Sequence, residues 1–83
     1  MIKFHDDAWS DYLYWRENDK KILERINTLI KEIERQPCKG IGKPEPLKYN
    51  LADYWSRRIN EEHRLVYKIS GDTIIVIQCR YYY

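Results

Sequence analysis

Five aliphatic residues, Ile22, Ile26, Leu29, Ile30 and Ile33, recur at i, i+4, i+7, i+8 and i+11. Only an α-helix gathers those spacings on one side, so the segment from Asn18 or Asp19 to about Arg35 reads as an amphipathic helix needing a surface to cover its stripe. Its other side carries Lys20, Lys21, Glu24, Arg25, Lys31, Glu32, Glu34 and Arg35, a solvated face of mixed sign. Pro37 ends the helix, and Gly40, Gly42, Pro44 and Pro46 predict a following loop without regular structure.

The covering surface is expected from residues 54–60, 64–69 and 73–81, rich in β-branched and aromatic side chains. Turn chemistry at Asn60-Glu61-Glu62 and Ser70-Gly71-Asp72 separates them into a meander of antiparallel strands. At the other end, residues 2–5 suit a short strand, and Asp6 suits the cap of a first helix reaching Arg16. That helix is expected to bury Trp9, Leu13 and either Tyr12 or Arg16. The predicted fold class is α+β: two N-terminal helices packed on a twisted antiparallel sheet, in one domain spanning 1–83.

Composition limits the possible functions. Hydrophobic residues at 43% and charged residues at 34% describe a globular chain rather than a disordered one. No apolar run approaches the roughly 18 residues of a membrane span, and Lys3 with Asp6-Asp7 is unlike a signal region, so a cytoplasmic protein with no membrane partner is expected. Cys38 and Cys79 lack a paired spacing and read as reduced thiols, with Cys79 expected in a strand. Two histidines, His5 and His63, are too few for a familiar zinc site, so neither metal nor cofactor is expected. Charge divides unevenly: residues 1–36 hold seven Lys/Arg and eight Asp/Glu, whereas residues 37–83 hold eight and five. The second half is basic and favours a phosphate-bearing partner.

Strand alternation sorts that basic half by face, since residues two apart share a side. Arg64 and Val66 oppose Leu65, Tyr67 and Ile69; Ser56 and Arg58 oppose Trp55, Arg57 and Ile59. With helices over Leu65 and Ile69, Arg64 looks outward with Arg58 beside it across the hairpin. Arg57, on the opposite side, is expected to be a structural ion-pair partner. His63, near Glu61 and Glu62, reads as a capping or salt-bridged surface residue.

Cleaving RNA without a metal needs a base for the 2′-hydroxyl, a positive group for the charge developing on phosphorus, and an acid for the departing 5′-oxygen. Arginine's planar fork suits the second role, for which Arg58 and Arg64 are candidates. Glu45, restrained between Pro44 and Pro46, is either a base or a solvated loop residue. The terminal tyrosines are either stacking platforms for bases or core.

Five segments carry a resemblance: Ala8-Trp9-Ser10-Asp11-Tyr12-Leu13-Tyr14-Trp15, Gly42-Lys43-Pro44-Glu45-Pro46-Leu47-Lys48, Trp55-Ser56-Arg57-Arg58-Ile59, Glu61-Glu62-His63-Arg64-Leu65-Val66-Tyr67 and Cys79-Arg80-Tyr81-Tyr82-Tyr83. In order and spacing they resemble the YoeB/Txe branch of the RelE-like toxins over nearly the whole chain. The resemblance implies a ribosome-dependent mRNA endoribonuclease acting in the A site, with contacts to 30S and 50S. It implies a homodimer, inhibition by a YefM-like antitoxin, and operator DNA reached only through that antitoxin. By the same resemblance Glu45 is the base, Arg64 the transition-state stabiliser and the position of Tyr82 the acid. Lys48 and Arg58 match phosphate-binding positions, and Tyr83 matches a terminal aromatic. The family tail is Tyr-His-Tyr, whereas this chain ends Tyr81-Tyr82-Tyr83. A phenol is a far weaker acid than an imidazolium, which predicts attenuated cleavage or, as the alternative, a non-cleaving module that binds ribosome or antitoxin.

Overall fold

In a computed structural model, which describes residues 1–48 and 53–82, the elements are β1 (Ile2–Phe4), α1 (Asp6–Asn18), α2 (Lys20–Arg35), β2 (Glu45–Pro46), β3 (Tyr54–Arg58), β4 (Arg64–Ser70) and β5 (Thr73–Gln78). They form an α+β fold whose five-stranded sheet has the order β1-β5-β4-β3-β2. The meander β3-β4-β5 is antiparallel as expected, but β1 adds to β5 in parallel, so the sheet is mixed. The helix pair carries the chain from β1 to β2 at the far edge, and the strands that follow bring β5 back beside β1 in parallel.

The aliphatic stripe of α2 explains most of the packing. Ile26, Leu29 and Ile33 are fully buried and share one core with Ala8 and Trp15 of α1 and with Leu65, Tyr67, Ile74 and Val76 of the sheet. Burying each of those α2 side chains contributes roughly 1.5–3 kcal/mol. Asp19 starts the helix, its carboxylate accepting from the backbone N–H of Lys21 and Ile22. Its backbone N–H donates to Trp15 O, so one residue ends α1 and begins α2.

Four local expectations change. His5, not Asp6, caps α1, because its Nδ1 accepts from Asp7 N. Trp9 lies 49% exposed, stacked on Tyr12 at 5.5 Å, while Ala8 and Trp15 turn inward. The segment between the prolines is not irregular throughout: Glu45 and Pro46 form an edge strand opposite Ser56 and Trp55. Finally, β5 ends at Gln78, so Cys79 lies just beyond the strand, buried, with its thiol against Ala8 O. No helix among the described residues is long and apolar enough to cross a membrane.

Candidate active site

The registers put the basic residues on the side of the sheet away from α2. Glu45 pairs with Ser56, Ser56 with Val66, and Arg58 with Arg64, while Arg57 and Tyr67 occupy the intervening positions on the helical side. The result is a cleft of about 160 Å³ lined by Lys43, Glu45, Ser56, Arg58, Arg64 and Tyr82. That volume is ample for a phosphate group.

Arg64 lies on the predicted face but is only 6% exposed, because the C-terminal segment folds over it. Its Nη1 donates to Asn60 O at 2.6 Å and His63 O at 3.0 Å, and its Nη2 donates to the Tyr82 hydroxyl. The guanidinium also lies 4.1 Å from the centre of the Tyr82 ring. Since the phenolic oxygen accepts from Arg64, its own proton remains available to another acceptor. Among the described residues no carboxylate forms a salt bridge with Lys43, Arg58 or Arg64. The cleft therefore holds positive charge that an anion can meet.

Arg57 corrects the ion-pair expectation. It is fully buried, yet carbonyls rather than a carboxylate receive its donors: Nη1 bonds Ile41 O, and Nη2 bonds Gln36 O and Lys39 O. Its Nε donates to the Tyr67 hydroxyl, which donates onward to Pro37 O. Burial raises the Tyr67 pKa, against the pull of Arg57, keeping the phenol in the protonated form that this relay needs. Together the pair ties down the chain that leads to Lys43 and Glu45. Gly42 completes the approach at φ 82, where a Cβ would stand 2.8 Å from Leu29 Cδ2 and 3.2 Å from Arg57 Cβ. Its carbonyl accepts from Arg58 N, and Lys43 follows at φ 50.

The C-terminal segment is fixed as closely. Cys79 N donates to the Asp11 carboxylate at 3.1 Å, and Trp15 Nε1 donates to Cys79 O at 2.8 Å. Arg80 places its guanidinium 3.5 Å from the Tyr14 ring centre. Gln78 Nε2 donates to Arg80 O at 3.1 Å and Tyr82 O at 3.3 Å. Burial, reinforced by the Asp11 charge, pushes the Cys79 thiol up to about 12, which suits packing and not nucleophilic attack. His63 is neither a cap nor a salt bridge: Asn60 caps the turn, and His63 Nδ1 accepts from Tyr81 N at 2.8 Å.

Of the residues singled out in the sequence, Glu45, Arg58, Arg64 and Tyr82 meet in the cleft. Lys48 is exposed and does not line it, and Tyr83 lies outside the described residues. In the sequence Lys43 enters only within a resembling segment and Ser56 only as a face position, and Gln78 is not singled out. A polar residue closing the apolar run Thr73–Gln78 was the available signal for Gln78.

The family model for the "YoeB-like toxin of bacterial type II toxin-antitoxin system" matches residues 4–83. Toxin YoeB of Synechocystis sp. is 60% identical over 82 residues, covering 99% of this chain and 95% of that protein. A heterotetrameric YoeB–YefM toxin–antitoxin complex from Staphylococcus aureus contains a chain that superposes with a TM-score of 0.91 at 50% identity, covering 100% of this chain and 97% of that one. A YoeB dimer from the same organism gives 0.92 at 51% identity, covering 99% and 95%.

Proposed function

This chain belongs to the YoeB-like toxins of bacterial type II toxin–antitoxin systems, and on that premise we propose that it is a ribosome-dependent endoribonuclease that cuts mRNA in the A site and inhibits translation. The convergence of Glu45, Arg58, Arg64 and Tyr82 on one cleft carries this reading. Glu45 takes the proton of the 2′-hydroxyl as that oxygen attacks phosphorus. Arg64 and Arg58 stabilise the extra charge on the phosphorane oxygens, with Lys43 nearby. The bond from phosphorus to the 5′-oxygen breaks, and Tyr82 gives its proton to the departing oxygen. Arg64, which already donates to the phenol, then holds the phenolate. The products are a 2′,3′-cyclic phosphate and a 5′-hydroxyl, and the proton returns from Glu45 to Tyr82 through solvent. Lys48 contacts the RNA outside the cleft, and Tyr83 is a further RNA-binding residue.

With a carboxylate base and a phenolic acid, the ribosome must supply much of the orientation of the 2′-oxygen and leaving group, which is worth several kcal/mol. Contacts to 30S and 50S anchor the toxin there. A YefM-like antitoxin places acidic groups over Arg58 and Arg64 and alone brings operator DNA into reach. The exposed Trp9 ring, backed by half-buried Tyr12, suits pairing as a homodimer.

Primer extension on programmed ribosomes tests the reaction. Cutting at A-site codons is expected, lost in Arg64→Ala and faster by about 10²–10⁴ in Tyr82→His. Absence of new 5′ ends from the native chain and from Tyr82→His alike would sink the enzyme reading. One observation favours a second reading: the Tyr82 ring covers the Arg64 guanidinium. A protein that occupies the A site without cutting would stall ribosomes and leave the mRNA whole.

A further inference from the structure

We infer that His63 is a positioning residue for the proposed reaction: by accepting the Tyr81 N–H at Nδ1 it holds the C-terminal turn that sets the Tyr82 hydroxyl on Arg64. The inference rests on the endoribonuclease reading for its catalytic consequence, but not for its geometry. Tyr81 has φ 66, in the left-handed region that a bulky side chain occupies only when its surroundings impose it. Two consecutive residues impose it here. His63 Nδ1 accepts from Tyr81 N at 2.8 Å, and Arg64 N donates to Tyr81 O at 2.9 Å. Both backbone polar groups of Tyr81 are therefore tied to His63 and Arg64, where β4 begins and from which the Arg64 side chain projects. One residue further on, the Tyr82 hydroxyl meets Arg64 Nη2.

A backbone amide has a proton to give and none to accept, so Nδ1 must be the bare nitrogen and Nε2 must carry the hydrogen. The His63 ring is held for this role. It sits edge-on against Trp15 at 4.7 Å between centroids, and Trp15 is itself anchored through Nε1 to Cys79 O. The chain from α1 through Trp15 and His63 to Tyr81 makes the position of Tyr82 a property of the packed core rather than of a loose terminus. Asn60, whose side chain accepts from His63 N, fixes the start of the same turn.

The test uses the two ways of replacing an imidazole. In His63→Asn the carboxamide oxygen falls near the place of Nδ1 and keeps the acceptor; His63→Leu keeps bulk and removes it. Amide hydrogen exchange reads the latch and single-turnover cutting on programmed ribosomes reads its consequence. His63→Leu is expected to lower Tyr81 protection about tenfold, the loss of one hydrogen bond of ordinary net strength, with protection at Tyr67 and Val76 unchanged. The cutting rate at saturating ribosomes should fall by about tenfold or more, at an unchanged half-saturating concentration, while His63→Asn stays within about threefold of the native protein on both measures. Unchanged Tyr81 protection in His63→Leu, or equal losses in the Leu and Asn variants, would overturn the inference, since the ring would then act by packing alone. Should His63→Leu fail to fold, His63→Gln, which displaces the acceptor by one methylene, is read against the same expectations. If the native protein does not cut, the endoribonuclease reading has failed, and amide exchange still decides whether the latch exists.

Discussion

Replacing Arg57 by Met should unfasten the loop that leads to the cleft while keeping the volume of the core. Arg57 is fully buried, and its guanidinium supplies donors to the carbonyls of Gln36, Lys39 and Ile41 at 2.5, 2.7 and 3.1 Å. Met supplies none, so the Lys39 and Ile41 carbonyls lose their donors and Gln36 O keeps only a long bond from Lys39 N at 3.4 Å, while Tyr67 keeps its bond to Pro37 O. Each carbonyl left without a partner costs about 1–3 kcal/mol, and the low end applies because loop carbonyls can recover some hydration. With the weakened contact at Gln36 O counted in part, that gives about 2–3 kcal/mol. Burying a thioether in place of a cation returns part of it, leaving an expected loss of about 2 kcal/mol. For a domain of this size the midpoint of thermal unfolding falls by roughly 10–20 °C. Arg57→Lys, whose single ammonium reaches fewer carbonyls, should fall between Met and the native residue. Calorimetry with urea titration measures the change directly. A loss under about 0.5 kcal/mol in Arg57→Met would refute the reasoning, because the carbonyls would then be satisfied without the guanidinium.

Three further outcomes follow from the same packing. A thiol reagent at neutral pH should modify exposed Cys38 and spare Cys79, which is buried and raised to about 12; reaction of both thiols in the folded protein would contradict the assigned burial. Asp11 has a pKa raised above 3.8 chiefly by burial, so the folded state binds its proton more tightly than the unfolded chain does. Its contribution to stability is present below 3.8 and lost as pH rises through the folded value, so Asp11→Asn should raise the unfolding temperature at neutral pH by an amount that shrinks below pH 3.8, followed by thermal scans across pH. Gly42→Ala should cost about 1–3 kcal/mol, since it puts a methyl group 2.8 Å from Leu29 Cδ2 in a left-handed backbone; an unchanged urea midpoint would show that the loop shifts freely.

The sequence was most legible where one periodicity had one interpretation. The α2 stripe located its own buried face, and alternation through residues 54–69 placed Arg58 opposite Arg64, away from Leu65 and Tyr67. Aromatic residues at positions 9, 12, 14 and 15 surround α1 instead of marking one side, so its inward face could not be read from them and Trp9 was placed wrongly. Three residues of β1 hold no information about which strand they will join. Arg57 was misread for a physical reason: a buried guanidinium needs acceptors, and backbone carbonyls brought together by the fold leave no trace in residue identity. The turn at Tyr81 is equally silent, since its acceptor comes from His63 and its donor from Arg64 N. Glu45 stands between these cases. Its prolines announced a restrained backbone, but only the pairing with Ser56 puts that restraint beside the arginines.

Under the proposed mechanism, the cleft separates what is built into the fold from what is hung upon it. Arg64 is positioned by backbone carbonyls of its own turn and Arg58 by a central strand, so the positive charge offered to the phosphorane depends little on the identity of residue 82. The acid belongs to a terminal segment whose side chain can change while the backbone stays pinned by His63, Gln78 and Arg64. A tyrosine at position 82 therefore weakens proton donation without dismantling the electrostatic part of catalysis, usually its larger share. The phenol does more than fill the place of a stronger acid, because its ring lies on the guanidinium that must receive the phosphate. Substrate has to displace that contact before charge can be stabilised. Tyr82→Phe and Tyr82→Ala both remove the proton and differ only in the ring, so slower cutting by Phe than by Ala would identify the covering ring as the main restraint on cutting, and equal rates would clear the ring and leave weak proton donation by the phenol.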